Sequence, residues 1–308
     1  MRFLLAGTLG ACVLVAQSLP CPEKSVEASV TVDARLGAGG SVVDGLEIKD
    51  FQVLGKGLTS PVMRVDRDGP IDLVILIEAY NRGSALSGAA PLFLTELRPE
   101  DRVAVFTYGT GVDKKTEWEQ DHGAILKAIE EGGKGVALQA VRPLNAVVEG
   151  LKMFPDKVDP RRKRMMLVIG DDQDASTPVR LEAVLANLLE KRVTLHMLID
   201  PPKGKVMGKI LPKVNVTPGN VGEPRIGEQQ GRFGAQSVSK LAQATGGDAV
   251  APNGVWALEE VLMRMKERYQ VGYCVERKHA AKMPTVSLTD AAKNGRAEFA
   301  LLAPGGLR

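Results

Sequence analysis

Hydrophobic positions along this chain fall into two rhythms. Val26, Ala28, Val30 and Val32 alternate with Glu27, Ser29, Thr31 and Asp33. That is period two, the pattern of a strand with one buried face. Gly37-Ala38-Gly39-Gly40 makes a turn, and short apolar pieces follow around 46–54 and 62–65, punctuated by Gly55, Gly57 and Pro61. Together they predict a small N-terminal β module over residues 25–66. From Ile71 the rhythm changes. Ile71 and Leu73 to Ile77 form a nearly unbroken apolar run rich in β-branched side chains, as in a strand buried on both faces. Similar runs recur at 102–107, 164–169, 193–199 and 269–275, with a short strand near 248–251 and an edge strand at 116–119. Between them lie helical segments at 85–97, 124–130, 138–154, 179–191, 236–244 and 256–268. This alternation predicts an α/β fold over residues 70–276, a doubly wound, mostly parallel sheet of Rossmann-like type. Residues 277–308 add a β tail, with strands at 285–288 and 297–302. Residues 201–233, rich in Gly, Pro, Lys, Asn and Gln, read as a surface insertion.

Composition narrows the function. Of 308 residues 44% are hydrophobic and 25% charged, the balance of a folded globular chain. Aromatics at 4% offer little stacking surface for single-stranded nucleic acid, and a net charge of +3 creates no field for a polyanion. No nucleic-acid partner is expected. The one dense basic run, Arg161-Arg162-Lys163-Arg164, reads as a solvated strand entrance or as a contact for an anionic partner. Residues 1–18 read as a signal peptide, with Arg2, an apolar stretch over 3–15 and a small-x-small site at Ala16-Gln17-Ser18. The mature protein is therefore expected to be secreted or periplasmic. Leu9-Gly10-Ala11-Cys12 resembles a lipoprotein box, but cleavage there would halve the apolar core, so a lipoprotein is the lesser reading. No other stretch is long and apolar enough to form a transmembrane segment. Cys21 and Cys274 remain after the signal. They form a disulfide in an oxidising compartment, or Cys274 is simply a small buried side chain, and both readings stand.

Enzyme motifs are sparse. There is no Gly-x-Ser-x-Gly elbow and no Gly-x-Gly-x-x-Gly after the first α/β strand, and Gly133-Lys134-Gly135 lacks the rest of a phosphate loop. His122, His196 and His279 lie far apart without ligand spacing, and His196 falls inside a strand, where a core role is expected. What remains is carboxylates. Glu78 ends the first central strand, and Asp171, Asp172 and Asp174 follow the other, at the sheet edge where parallel α/β folds bind ligands. They read as hard oxygen ligands for Mg²⁺ or Ca²⁺, or, for Asp172 and Asp174, as loop residues and N-caps of the next helix. A metal-dependent hydrolase using Asp171, Asp172 and Asp174 is one alternative. A structural envelope protein whose 201–233 insertion makes the contacts is another.

The strand and acidic loop at Ile71, the run Arg98-Pro99-Glu100-Asp101-Arg102-Val103-Ala104-Val105-Phe106, and the Arg164 strand with its Asp171 loop together resemble a von Willebrand factor A domain. Val30-Thr31-Val32-Asp33, the stretch 45–54, Ala244-Thr245-Gly246-Gly247 and Tyr269-Gln270-Val271-Gly272-Tyr273 are similar to a bacterial subgroup described from acidobacteria. The resemblance spans roughly residues 25–300. It implies a doubly wound sheet beside a β module, and binding of another protein rather than catalysis. The family's metal-ion-dependent adhesion site carries Asp-x-Ser-x-Ser after the first strand, a Thr before the middle helix and an Asp after the later strand. Here Glu78, Tyr80 and Arg82 take the first three places, and the Thr position falls near Gly135-Val136-Ala137-Leu138, which has no hydroxyl. Asp171 alone agrees. The resemblance therefore implies a binding face at Glu78, Tyr80, Arg82 and Asp171, a degenerate site, and no required cofactor. Were Mg²⁺ held, Glu78, Asp171 and Asp174 would hold it. Arg82 either supplies the missing positive charge beside Glu78 and Asp171 or points to solvent.

Overall fold

A computed structural model of the chain describes residues 21–36, 41–79, 95–132, 141–172, 174, 179–199, 237–250, 257–280, 282–293 and 299–304. The expected signal peptide, the 201–233 segment and nearly all of the 85–97 helix lie outside those residues. The elements in chain order are β1 (Ser25–Leu36), β2 (Phe51–Leu54), β3 (Leu58–Asp66), β4 (Ile71–Glu78), β5 (Arg102–Tyr108), β6 (Val112–Lys114), α1 (His122–Gly132), α2 (Pro143–Leu151) and β7 (Lys163–Gly170). Then follow α3 (Leu181–Glu190), β8 (Val193–Ile199), α4 (Val238–Ala244), β9 (Ala249–Val250), α5 (Ala257–Lys266), β10 (Tyr269–Glu276), β11 (Thr285–Leu288), α6 (Asp290–Lys293) and β12 (Phe299–Leu302).

The unbroken apolar run at Ile71 becomes β4, whose eight residues are all buried. It pairs in parallel with β5 on one side and β7 on the other, in a sheet ordered β6-β5-β4-β7-β8-β9. Successive side chains leave a strand on opposite faces. Val74 and Leu76 therefore pack with α2, α3 and α4, while Leu73, Ile75 and Ile77 pack with α1 and α5. The sheet is doubly wound and mostly parallel, as the alternation predicted, with β6 its one antiparallel member. The edge strand expected at 116–119 is β6 instead, at 112–114. Thr116 accepts the Val105 amide on its hydroxyl at 2.9 Å and donates its own amide to the Val105 carbonyl at 3.2 Å, and Glu119 forms an isolated bridge to Val103. A three-residue exposed strand leaves no hydrophobic alternation to read. The helix expected over 138–154 begins at Pro143, because proline fits the first helical turn and disfavours helical geometry in the residue before it.

The last long apolar run departs from expectation. Residues 269–275 read as a closing strand of the parallel sheet, but β10 lies in the middle of a separate antiparallel sheet ordered β12-β1-β10-β3. Its partners run from Ser25↔Glu276 to Val32↔Tyr269. The β module is thus assembled from both ends of the chain, with β11 pairing β2 and β12 extending the sheet beside β1. Residue 276 is therefore no domain boundary, and the 277–308 tail supplies strands to the same module. The physical reason is that β10 is buried on both faces, and such a strand reads alike in parallel and antiparallel sheets.

β1 also departs from the half-buried reading. Its polar positions Ser29, Thr31, Asp33 and Arg35 are buried as well, because that face packs on the α/β unit. The interface is polar. Gln270 donates from Nε2 to the Ser29 hydroxyl at 3.2 Å and to the Arg162 carbonyl at 2.9 Å. Arg192 donates to the Ser29 carbonyl at 3.3 Å and to the Tyr273 hydroxyl at 2.8 Å. Most of the basic run is likewise paired inside the protein, rather than forming a solvated strand entrance. Arg162 binds Asp72 at 2.7 Å, Lys163 donates to the carbonyls of Arg67 and Lys266, and Arg164 reaches those of Lys157 and Lys191. Only Arg161 is exposed.

At the centre of the interface sits Arg268, with a side chain that is 0% exposed. Its guanidinium reaches Asp248 Oδ2 at 2.8 Å, Asp33 Oδ2 at 3.4 Å and the Gly246 carbonyl. Burial alone would raise the Asp248 pKa, but Arg268 and His196 outweigh it and hold the carboxyl well below the usual carboxylate range. His196 lies in β8 with its imidazole buried, and that burial, with Arg268 nearby, lowers its pKa; Nδ1 accepts the Asp248 amide at 3.3 Å. It is a core histidine. Cys21 and Cys274 form a disulfide with Cα atoms 5.7 Å apart, fastening the start of the described chain to β10, and the Met63 thioether packs against it.

Replacing Arg268 with methionine should strand Asp248 as a buried charge, leave Asp33 to Arg35 alone at 2.7 Å, and lower stability by roughly 3–5 kcal/mol, measured by urea unfolding. The double variant R268M/D248N, which keeps the Arg35–Asp33 pair, should recover much of that loss. A loss below about 0.5 kcal/mol for R268M would show that the cluster contributes nothing.

Candidate functional site

In chain order the parallel strands lie 2-1-3-4-5, so the connections leaving β4 and β7 diverge. The carboxyl ends of those two strands therefore form the switch point of the sheet, outside which lies the crevice where such sheets usually bind ligands. Register pairs Ile77 with Ile169, so Glu78 closes β4 directly beside Gly170, the last residue of β7. Glu78 is fully buried, and its Oε2 accepts the backbone N–H of Asp171 at 2.7 Å. The structure thus brings Glu78 to the start of the Asp171 loop. Tyr80 and Arg82 lie outside the described residues, as does the 133–140 segment expected to replace the family's Thr.

Two residues at this crevice went unread in the sequence. Tyr108 ends β5, is buried, and donates its hydroxyl to the Ile169 carbonyl at 3.3 Å, while its own carbonyl accepts the Ala79 amide at 2.8 Å. Gly170 has φ +154°, and a Cβ there would stand 2.5 Å from both Glu78 Oε2 and Tyr108 Oη. Only glycine lets three strand ends close on one another at this point. The signal available was the glycine itself, placed between a buried strand and two aspartates.

The remaining acids of the loop serve helix starts. Asp172 accepts the Ser239 amide at 2.7 Å, the Ser239 hydroxyl at 2.8 Å and the Ser237 hydroxyl at 2.8 Å, which ties the loop to the first turn of α4. Burial raises the Asp172 pKa, the Ser239 amide and the serine hydroxyls draw it back, and Asp171 adds to the rise. Asp174 Oδ2 accepts the Leu144 amide at 3.0 Å, at the start of α2. The capping reading is thus right in kind but wrong in place. The next helix, α3, has Arg180 at its N-cap and no side-chain cap, while Asp172 and Asp174 reach helices across the edge. Helices of a parallel α/β sheet begin at the carboxyl edge, so a loop there lies within reach of several orphaned amides.

These bonds bear on the ion the resemblance implies. Glu78, Asp172 and Asp174 each already accept a backbone N–H, and among the described residues no three His, Cys, Asp or Glu side chains lie together as an ion's ligands. The described carboxylates are arranged to hold the edge together.

No family model matches the chain, and no curated protein matches it. Similar solved structures include an aerotolerance-related membrane protein from Bacteroides fragilis, at 13% identity over 64% of this chain and 98% of that one, TM-score 0.44. A von Willebrand factor type A protein from Catenulispora acidiphila is similar at 14% identity, over 73% of this chain and 51% of that one, TM-score 0.44. The manganese-loaded TRAP protein of Plasmodium vivax is similar at 13% identity, over 73% of this chain and 80% of that one, TM-score 0.42. At such identities these are likenesses of fold alone.

Gly170→Ala should force Glu78 and Tyr108 apart and lower stability by about 1–3 kcal/mol in urea unfolding. A change under about 0.5 kcal/mol would mean that the three strand ends are not closed on one another as described.

Proposed function

We propose that this chain is an exported protein-binding module, which takes another protein on the Glu78/Asp171 edge of its parallel sheet without a metal ion and without chemistry of its own. The observation that carries the reading is the commitment of Asp172 and Asp174 to the amides of α4 and α2. Carboxylates used as caps build a fixed platform rather than an acid–base pair. Asp171 is half-buried and directly follows Gly170 at the switch point.

Capture from an envelope extract tests the reading. The wild-type chain should retain a specific protein in the presence of chelator. Asp171→Lys should weaken that capture at least tenfold, while Lys278→Glu, on the exposed surface of the β module, should leave it intact. Capture that needs divalent ions, or turnover lost on chelation, would overturn it in favour of a metal-dependent activity. Capture lost only on deleting residues 201–233 would move the contact to that segment.

Export is part of the proposal. Among the described residues no helix is long and apolar enough to cross a membrane, and the Cys21–Cys274 bond suits an oxidising compartment. N-terminal sequencing of periplasmic or extracellular material should start between about residues 17 and 21. Reductant should lower the unfolding free energy by roughly 2–4 kcal/mol. An intact Met1 on cytoplasmic protein would sink the export reading.

A further inference from the structure

The chain passes between its two sheets twice, once from β3 to β4 through residues 67–70 and once from α5 to β10 through residues 267–268. Both crossings meet at one side chain. Lys163, the first residue of β7, is 1% exposed, and its Nζ donates to the Arg67 carbonyl on the first crossing and to the Lys266 carbonyl, 2.8 Å away, at the start of the second. Its backbone N–H donates to the Pro70 carbonyl at 2.8 Å, again on the first crossing. Nothing else among the described residues accepts from Nζ.

The count of hydrogens is informative. A neutral amine has two N–H donors, which match the two carbonyls. An ammonium has three, and the third has no acceptor in this dry position. Burying it unpaired is costly. We propose that Lys163 is a proton-released latch between the sheets: as an amine it fastens both crossings, and on taking a third proton it leaves them for water, so that the antiparallel sheet loosens from the α/β unit.

The charges facing Nζ do not remove the cost. Asp66 at the end of β3 and Asp68 on the first crossing favour the charged form, while Arg98, ahead of β5, and Arg67 oppose it. Around them Lys266 is paired with Glu96, Glu267 lies near Arg67 and Arg35, and Asp72 is held by Arg102 and Arg162. Burial outweighs these neighbours and pushes the Lys163 pKa down to about 7. The loosened state hydrates Nζ and restores the ordinary lysine value of about 10.4. The latch is therefore complete above that value. It weakens about tenfold per pH unit as pH falls toward 7, and levels off below.

Hydrogen exchange on the full mature chain tests this. After correction for intrinsic rates, the opening constant of amides on the two crossings and of Lys163 itself should fall about tenfold per unit from roughly pH 7 to 9.5. Core amides of β4 and β7, which report global unfolding, should open far more rarely than the crossings. Lys163→Met should flatten the dependence at the crossings, and Lys163→Gln serves if the methionine variant does not fold. Independently, the Lys163 Cε carbon resonance of the wild type should titrate near 7. A flat wild-type profile, an unchanged slope in the variants, opening equal to that of the core, or a titration near 10 would each overturn the latch.

Discussion

The architecture turns on a buried guanidinium. Arg268 lies between two sheets that otherwise meet through polar faces, with Asp33 on one side and Asp248 on the other. With Arg35 on Asp33 at 2.7 Å, four charges leave water together, at a cost that Coulomb attraction offsets only when the hydrogen-bonding groups are placed well. That requirement acts as a constraint on position. Asp33 must sit on the inward polar face of β1, Asp248 must precede β9, and Arg268 must occupy the second crossing immediately before β10. The Ala244-Thr245-Gly246-Gly247 stretch meets the same demand. Gly246 lends its carbonyl to Arg268, and Gly247 lets the turn close on the Leu195 carbonyl, where a Cβ would stand at 1.8 Å. A motif noticed as a family likeness thus has a local physical reason.

Much of the parallel sheet was legible because a strand buried on both faces announces itself as a continuous apolar run. Residues 193–199 were read with the boundaries that β8 has, and 164–169 within a residue at either end of β7. The same signal misled at 269–275, since hydrophobicity reports burial and carries no strand direction. The polar half of β1 was illegible for a related reason. Ser29, Thr31 and Asp33 look like a wet face until residues from far along the chain, Gln270 of the same sheet, Arg192 of the α/β unit and Arg268 of the crossing, arrive as partners. The basic run at 161–164 failed likewise, because the acceptors of Lys163 and Arg164 are backbone carbonyls, and every residue has one.

The candidate site was legible in part. Glu78 and Asp171 were named from their places after two central strands, and the parallel register of β4 and β7 sets those places side by side. Gly170 and Tyr108 were missed, because what makes them matter is a convergence of three strands, which no local pattern records. Asp172 and Asp174 were recognised as caps but given to the wrong helix, since which amide a loop acid finds depends on the path of the loop over the edge. Tyr80 and Arg82, by contrast, remain residues of the sequence reading alone.

β7 joins the crossings between the sheets to the carboxyl edge. Its first residue is Lys163, at the crossings between sheets, and its last is Gly170, under the crevice. All eight of its residues are buried, and it is paired in parallel with β4 and β8 over most of its length. A strand so held moves with its sheet or not at all, because packed interiors resist continuous deformation. Loosening at Lys163 therefore changes what stands beside the parallel sheet and leaves the contact between Glu78 and the Asp171 amide as it is. A partner that touches the carboxyl edge alone would not sense the latch, whereas one that also touches the antiparallel module would bind the two states with different affinity. Only such a difference lets a ligand shift a conformational equilibrium.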